Sequence, residues 1–104
     1  MKPVYLLSLF YSKAALSKDY FQSAKAVVSV LSNDDFQLLG VGENHTAIAF
    51  TSDRTGQEIR RALGDIMTEH THVLLTEVSD VMSTNIARKT VEWFAHRLAG
   101  WAPK

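Results

Sequence analysis

The chain has 104 residues and a formal net charge of zero, with 11 basic and 11 acidic side chains. This length predicts one domain, residues 1–104, with a core large enough to fold without metal ions or disulfides. The absence of cysteine excludes a disulfide framework and a thiolate nucleophile and fits a cytoplasmic protein. Proteins that hold long stretches of nucleic acid usually carry a basic excess, so the charge balance does not favour that class.

The first predicted element is a strand over residues 4–11, which are nearly all apolar. The run is too short to cross a bilayer, and the polar Ser12 and Lys13 follow it directly. We therefore predict a buried strand and no association with a membrane. A helix is predicted next, over residues 16–31, because apolar residues recur there at helical spacing and Ser17 and Asp19 suit its N-terminus. Asn33, Asp34 and Asp35 are predicted to end it.

A hairpin is predicted after this helix, with strands over residues 36–41 and 45–51. Residues 42–44 form a Gly- and Asn-containing turn between them. Alternation along the second of these strands predicts one face formed by Thr46, Ile48 and Phe50. The opposite face is then formed by His45, Ala47, Ala49 and Thr51.

The remaining elements are a helix, a strand and a last helix. Thr55 and Glu58 match the capping box that opens a helix, and this helix is predicted to run to about His70. A fourth strand is predicted over residues 72–78. The C-terminal helix is predicted over about residues 82–99, with Gly100 and Pro103 stopping it.

The order β-α-β-β-α-β-α predicts an α+β protein of the ferredoxin-like βαββαβ type with an additional C-terminal helix. This arrangement has a four-stranded antiparallel sheet with two helices on one face.

The sheet face away from those two helices is the predicted interaction surface. If Val4, Leu6, Ser8 and Phe10 face the helices, the alternate residues of the first strand form a large apolar patch that requires a cover. Either the last helix or a second copy of the chain supplies it, and we favour a homodimer. The predicted interface residues are Tyr5, Leu7, Leu9, Tyr11, Ala47, Ala49, Trp93 and Trp101.

No catalytic or metal-binding constellation is evident, and we predict neither a catalytic residue nor a cofactor. His70 and His72 flank Thr71, but a transition-metal site needs three or four converging ligands. The sequence has neither a Gly-rich phosphate loop nor a Gly-x-Ser-x-Gly elbow.

The first strand resembles half of the RNA-recognition signature. Residues 4–9 are similar to the short motif of the RNA-recognition family, with Tyr5 in its base-stacking position. The longer motif requires a basic residue, Gly and two exposed aromatic residues on the third strand. In this chain Ile48 and Phe50 match its core positions only, and Ala47 stands where a stacking aromatic is needed.

A broader resemblance covers about three-quarters of the chain. Residues 5–8, 46–51, 58–63 and 73–78 resemble the small ferredoxin-like nucleases of CRISPR spacer acquisition and their SinR-like relatives. The resemblance implies a dimer. That family carries a metal-binding Asp at the end of the first strand, whereas residues 9–12 here contain no carboxylate, so the resemblance implies a non-catalytic relative.

These observations predict a non-enzymatic, homodimeric interaction domain of unknown partner, for which another protein is the candidate. The alternative is a nucleic-acid-binding or vestigial nuclease-like protein. Its predicted contact residues are Tyr5, His45, Arg54 and Arg61. Acidic residues alternate with the helical arginines, which favours a solvated mixed-charge surface over a basic groove.

Overall fold

The structure is a computed structural model that describes residues 2–11, 20–79, 81 and 87–98. In this part of the chain the protein is an α+β structure with one four-stranded antiparallel sheet and three α-helices. The elements are β1 (Val4–Tyr11), α1 (Tyr20–Ser32), β2 (Phe36–Val41), β3 (His45–Thr51), α2 (Gly56–Ala62), a 3₁₀ turn (Leu63–Ile66), β4 (Thr71–Val78) and α3 (Arg88–Ala95).

The end of α1 is set by two residues in the left-handed region. Asn33 and Asp34 have φ angles of 52° and 66°, and Asp34 N–H donates to the Ser29 carbonyl at 2.9 Å. Asn and Asp adopt this conformation more readily than most residues. The predicted helix end at this position is confirmed, while Ser17, Asp19 and the predicted start of the helix lie outside the described residues.

The start of α2 carries the predicted capping box. Glu58 N–H donates to Thr55 Oγ1 at 3.1 Å, and Thr55 N–H donates to the Glu58 carboxylate at 3.2 Å. These hydrogen bonds satisfy two backbone donors that a helix start otherwise leaves unpaired.

The end of the second helical segment differs from the prediction. It ends at Ile66 rather than near His70. The Thr71 hydroxyl donates to the Ile66 carbonyl at 2.8 Å and accepts from Thr68 N–H at 2.8 Å. This side chain therefore satisfies backbone groups at the end of the segment, and β4 begins at the same residue.

The first strand lies in the interior of the sheet. The strand order is β2-β3-β1-β4, so β1 pairs antiparallel with β3 on one side and with β4 on the other. The β2–β3 pairing shifts register between Leu38 and Gly40, which is the mark of a β-bulge.

Helices α1 and α2 cover one side of the sheet, which we call the main-core face. Leu7 and Leu9 pack there with Ile48 and Phe50 of β3. The two helices and the 3₁₀ turn contribute a set of buried residues to the same cluster, namely Tyr20, Ala24, Val28, Leu31, Ile59, Leu63 and Ile66. All of these except Tyr20 and Leu31 are completely buried.

The predicted orientation of β1 is wrong. Tyr5, Leu7, Leu9 and Tyr11 pack in or against the main core, not on the opposite side. The cross-strand register explains this, because Leu7 lies opposite Ile48 and Leu9 opposite Thr46, and directly opposed residues share a face. A shift of one residue moves every side chain of a strand to the other side of the sheet.

The last helix is shorter than predicted within the described residues. Helix α3 spans Arg88–Ala95, and part of the predicted range, with Trp101, Gly100 and Pro103, lies outside the described residues. Across residues 2–11, 20–79, 81 and 87–98, no helix is both long and apolar enough to cross a bilayer.

Candidate functional site

The side of the sheet opposite the main core, which we call the α3 face, is arranged in rows across β3, β1 and β4. The register places Ala49, Leu6 and Thr76 in one row. The other three rows are Thr51–Val4–Val78, Ala47–Ser8–Leu74 and His45–Phe10–His72.

Helix α3 covers the part of this face around Val4 and Ala49, whereas Thr76, at the β4 end of the Ala49 row, is exposed. Trp93, Phe94 and Leu98 form a second buried cluster with Val4 and Ala49. Leu6, Leu39, Val78 and Val81 pack against its margin. Two covers were predicted for this side of the sheet, the last helix or a second copy of the chain. The chain's own last helix covers the part around Val4 and Ala49.

An Asp–Arg pair fixes the end of α3 to the sheet. Arg97 Nη2 donates to Asp35 Oδ1 at 2.5 Å, and its Nε donates to the two carboxylate oxygens at 3.0 and 3.1 Å. The Thr51 hydroxyl donates to the same carboxylate at 2.7 Å. Hydrogen bonding from Arg97, against the opposing effect of partial burial, lowers the pKa of Asp35, and Thr51 adds to this.

Trp93 completes this anchor. Arg97 Nη1 donates to the Trp93 carbonyl at 2.8 Å, and the guanidinium carbon lies 4.3 Å from the centroid of the Trp93 ring. A guanidinium over an indole ring gains cation–π attraction. Trp93 was predicted as an interface residue, and it is instead 8% exposed inside the chain's own second cluster.

The remaining two rows form a surface that we call the open half, made of Ser8, Phe10, His45, Ala47, His72 and Leu74. Phe10 is 46% exposed and Leu74 is 61% exposed. The Phe10 ring stacks on the His45 imidazole with a centroid distance of 4.5 Å and an interplanar angle of 24°. The open half is therefore a surface in which exposed Leu74 lies in the row next to exposed Phe10 and its stack with His45.

The structure distributes the predicted interface residues among three environments. Leu7 and Leu9 are completely buried in the main core, with Tyr5 and Tyr11 at its margin. Ala49 is buried beneath α3. Of the predicted set, only Ala47 belongs to the open half, and Trp101 lies outside the described residues.

The predicted nucleic-acid contacts do not converge. Tyr5 stacks on Phe50 at the main-core face, with a centroid distance of 5.5 Å, whereas His45 lies on the α3 face. Burial first, and then the charge of Glu77, raises the pKa of the Tyr5 phenol. Arg54 follows the far end of β3, about 20 Å from His45 along a strand of this length.

Arg54 and Arg61 lie close to an acidic side chain. Arg54 forms an ion pair with Glu58 at 4.0 Å. The Glu58 carboxyl has its pKa lowered mainly by hydrogen bonds from Thr55, with smaller contributions from Arg54 and Arg61. This is the mixed-charge surface expected from the sequence.

The described residues contain no group of three or more His, Asp or Glu side chains that could hold a metal ion. His70 lies 3.4 Å from Glu69. His72 lies in β4, in the row with Phe10 on the α3 face. The two histidines therefore have different surroundings although only Thr71 separates them in the sequence.

Sequence reasoning missed Phe10 and Leu74 as exposed neighbours. A usable signal was Ser8, the only polar residue between Val4 and Phe10. A polar residue within an apolar strand favours the less buried side, and Ser8 shares its side of β1 with Phe10.

No protein-family model, curated protein or solved structure matches this chain.

Proposed function

We propose that this chain is a non-enzymatic interaction domain that self-associates through the open half of its α3 face. The observation that carries the proposal is the exposure of Phe10 and Leu74, which lie in adjacent rows of a sheet face that α3 covers at Val4 and Ala49 but not at these two rows. Exposed apolar side chains that adjoin one another on a flat surface are typical of protein–protein contacts.

We further propose that the fold is ferredoxin-like. The strand order β2-β3-β1-β4 supports this, because it places the first and third strands of a βαββαβ chain in the sheet interior. The packing of α1 and α2 against the same main core also supports it. Helix α3 is then the addition to that arrangement.

The height of α3 supports a second copy as the cover. A helix is about 10 Å across, and stacked sheets lie about 10 Å apart. A second sheet placed on the open half would therefore occupy the same layer as α3. The exposed side chains on and just after α3 are polar and do not suit burial beneath another sheet. They include Arg88, Lys89 and Glu92 of the helix and the following His96.

The size of the open half predicts a weak dimer. Two rows across three strands cover on the order of 200 Å², whereas a stable interface buries about 800 Å² on each partner. Contact with the side of α3 adds to this area. We therefore expect a dissociation constant in the micromolar range or weaker.

The proposal is tested by sedimentation equilibrium of the wild-type chain and of Phe10→Asp and Leu74→Asp variants. We expect the wild type to approach dimer mass at high concentration and both variants to remain monomeric, since each would replace an apolar contact with a carboxylate that the second copy desolvates. Val30→Asp is the matched control, because Val30 is 69% exposed on α1. A wild type that stays monomeric at millimolar concentration would contradict self-association.

The Phe10–His45 stack also favours a second candidate, a nucleic-acid-binding protein. Exposed aromatic rings on a sheet face provide surfaces on which unpaired bases stack. Phe10 belongs to the stretch in which the CRISPR-adaptation proteins carry their metal-binding Asp. In this second candidate Phe10 and His45 replace Tyr5 as the base contacts. The protein would then be a vestigial nuclease-like relative of that family that lacks the metal-binding Asp.

This candidate is tested by fluorescence anisotropy with a labelled single-stranded RNA. Binding through Phe10 would be weakened in Phe10→Ala, and it would fall steeply as salt rises from about 50 to about 200 mM. Dimer formation through apolar contacts would change little over the same range. The absence of RNA binding at low salt would exclude the second candidate and leave the first intact.

A further inference from the structure

The outer edge of β4 is free of strand partners in the part of the chain that the structure describes. Strand β4 is terminal in the strand order, with β1 on its inner side. It is eight residues long, and Glu77 is its only Lys, Arg, Asp or Glu residue. An edge strand of this length presents a row of backbone N–H and C=O groups to which another extended segment can bind.

A groove runs beside this edge on the main-core side of the sheet. Its walls are α2, the 3₁₀ turn and β4, and its volume is about 260 Å³. Val73 and Leu75 form the sheet side and alternate with residues of the opposite face. The lining residues are Gly56, Arg60, Leu63, Met67, Val73 and Leu75.

The volume and lining of the groove indicate what it accepts. Sites for small molecules usually exceed about 300 Å³ and enclose their ligand. This groove is smaller and lies along a strand, so it suits individual side chains of an added strand. Its lining is mostly apolar, and Met67 is 43% exposed.

Arg60 supplies the charge preference. It is exposed, and the ion pairs of arginine among the described residues are those of Arg54, Arg88 and Arg97. A guanidinium beside an apolar groove attracts a carboxylate. Side chains that share a face of an extended segment are two residues apart.

We infer that β4 and this groove bind an extended peptide as a fifth strand, with an apolar side chain in the groove and an acidic side chain two residues away at Arg60. Backbone hydrogen bonds to the edge of β4 supply affinity, and the two side chains supply specificity. The inference is independent of self-association through the open half, because the groove and the open half lie on opposite sides of the sheet.

The test is selection of a random heptapeptide library displayed on phage against the intact chain. We expect enrichment of peptides with apolar and acidic residues two positions apart. In Arg60→Glu the preference should change to a basic residue, and affinity for the original consensus should fall about tenfold. Because Arg60 is exposed, circular dichroism should show an unchanged fold.

A second pair of variants tests the groove itself. Leu75→Lys places a charge in the groove, whereas Thr76→Lys places the same charge on the opposite face of the same strand. We expect loss of peptide binding only in Leu75→Lys. Three results would overturn the inference. They are no enrichment, enrichment that Arg60→Glu leaves unchanged, or protection of the β4 amides of Phe10→Asp, which does not self-associate through the open half, with increasing protein concentration because a second copy occupies the edge.

Discussion

Two neighbouring residues of β1 have opposite environments, and their substitution tests the orientation of the strand. Leu9 is completely buried, whereas Phe10 is 46% exposed. We expect Leu9→Ala to lower the free energy of unfolding by about 2–5 kcal/mol. Phe10→Ala should lower it by about 1 kcal/mol or less, because much of its ring is already in water.

Urea denaturation at low protein concentration, where only the monomer is present, measures both values. A larger loss in Phe10→Ala than in Leu9→Ala would mean that the main core lies on the other side of the strand.

The residues of β1 and β3 show where sequence reasoning was sufficient and where it was not. The two faces of β3 were correctly predicted, because its buried side carries Ile48 and Phe50 while the other carries alanines and His45. In β1 nearly every residue is apolar, so alternation gives no contrast between its faces apart from Ser8. Pairing with β3 decides the orientation, and pairing joins residues that are distant in the sequence.

At the scale of elements, local signals were the most reliable. The capping box at Thr55 and the turn at Asn33 and Asp34 depend on neighbouring residues only, and both were predicted. The packing of α3 depends on Asp35, which lies 62 residues from Arg97. No local pattern identifies that pair, so the sequence left open whether the last helix or another chain covers the α3 face.

The Asp35–Arg97 pair predicts how the attachment of α3 depends on pH. The folded-state pKa of Asp35 is lowered, so its stabilising effect is complete above the unfolded value of about 3.9 and is lost as pH falls through the folded value. Asp35→Asn should therefore lower the free energy of unfolding by about 1 kcal/mol at neutral pH. This figure is reduced because the Asp35 side chain is partly exposed. As pH falls, the free energy of unfolding of Asp35→Asn should decrease less than that of the wild type.

Thermal or urea unfolding of both proteins between neutral pH and about pH 3 measures this difference. With Trp101 replaced by Phe in both proteins, Trp93 is the one remaining tryptophan of the sequence, and its fluorescence reports on α3. Asp34→Asn is a suitable comparison, because Asp34 precedes Asp35 but its side chain accepts from Ser29. Equal acid dependence in the wild type and in Asp35→Asn would contradict the stabilising role of the Asp35 carboxylate.

At the scale of the whole molecule, the strand order predicts a gradient of stability across the sheet. Strand β1 has hydrogen-bonded neighbours on both sides, whereas β2 and β4 each have one in the described residues. Amide hydrogen exchange should be slowest in β1 and β3 and faster in β2 and β4, because edge strands open without complete unfolding. Exchange measured residue by residue by NMR, with β1 no slower than β2, would contradict this order.

The interior position of β1 also has a consequence for synthesis of the chain. The ribosome makes β1 before the other strands of the sheet, yet β4 (Thr71–Val78), which pairs with its second side, is made only after β2 and β3. A nascent chain therefore carries an apolar strand with one unpaired edge until β4 has been made. Such intermediates associate wrongly with one another, and contacts of this sequence separation form slowly. We therefore expect nascent chains of this protein to associate with one another more readily before β4 has emerged than after it.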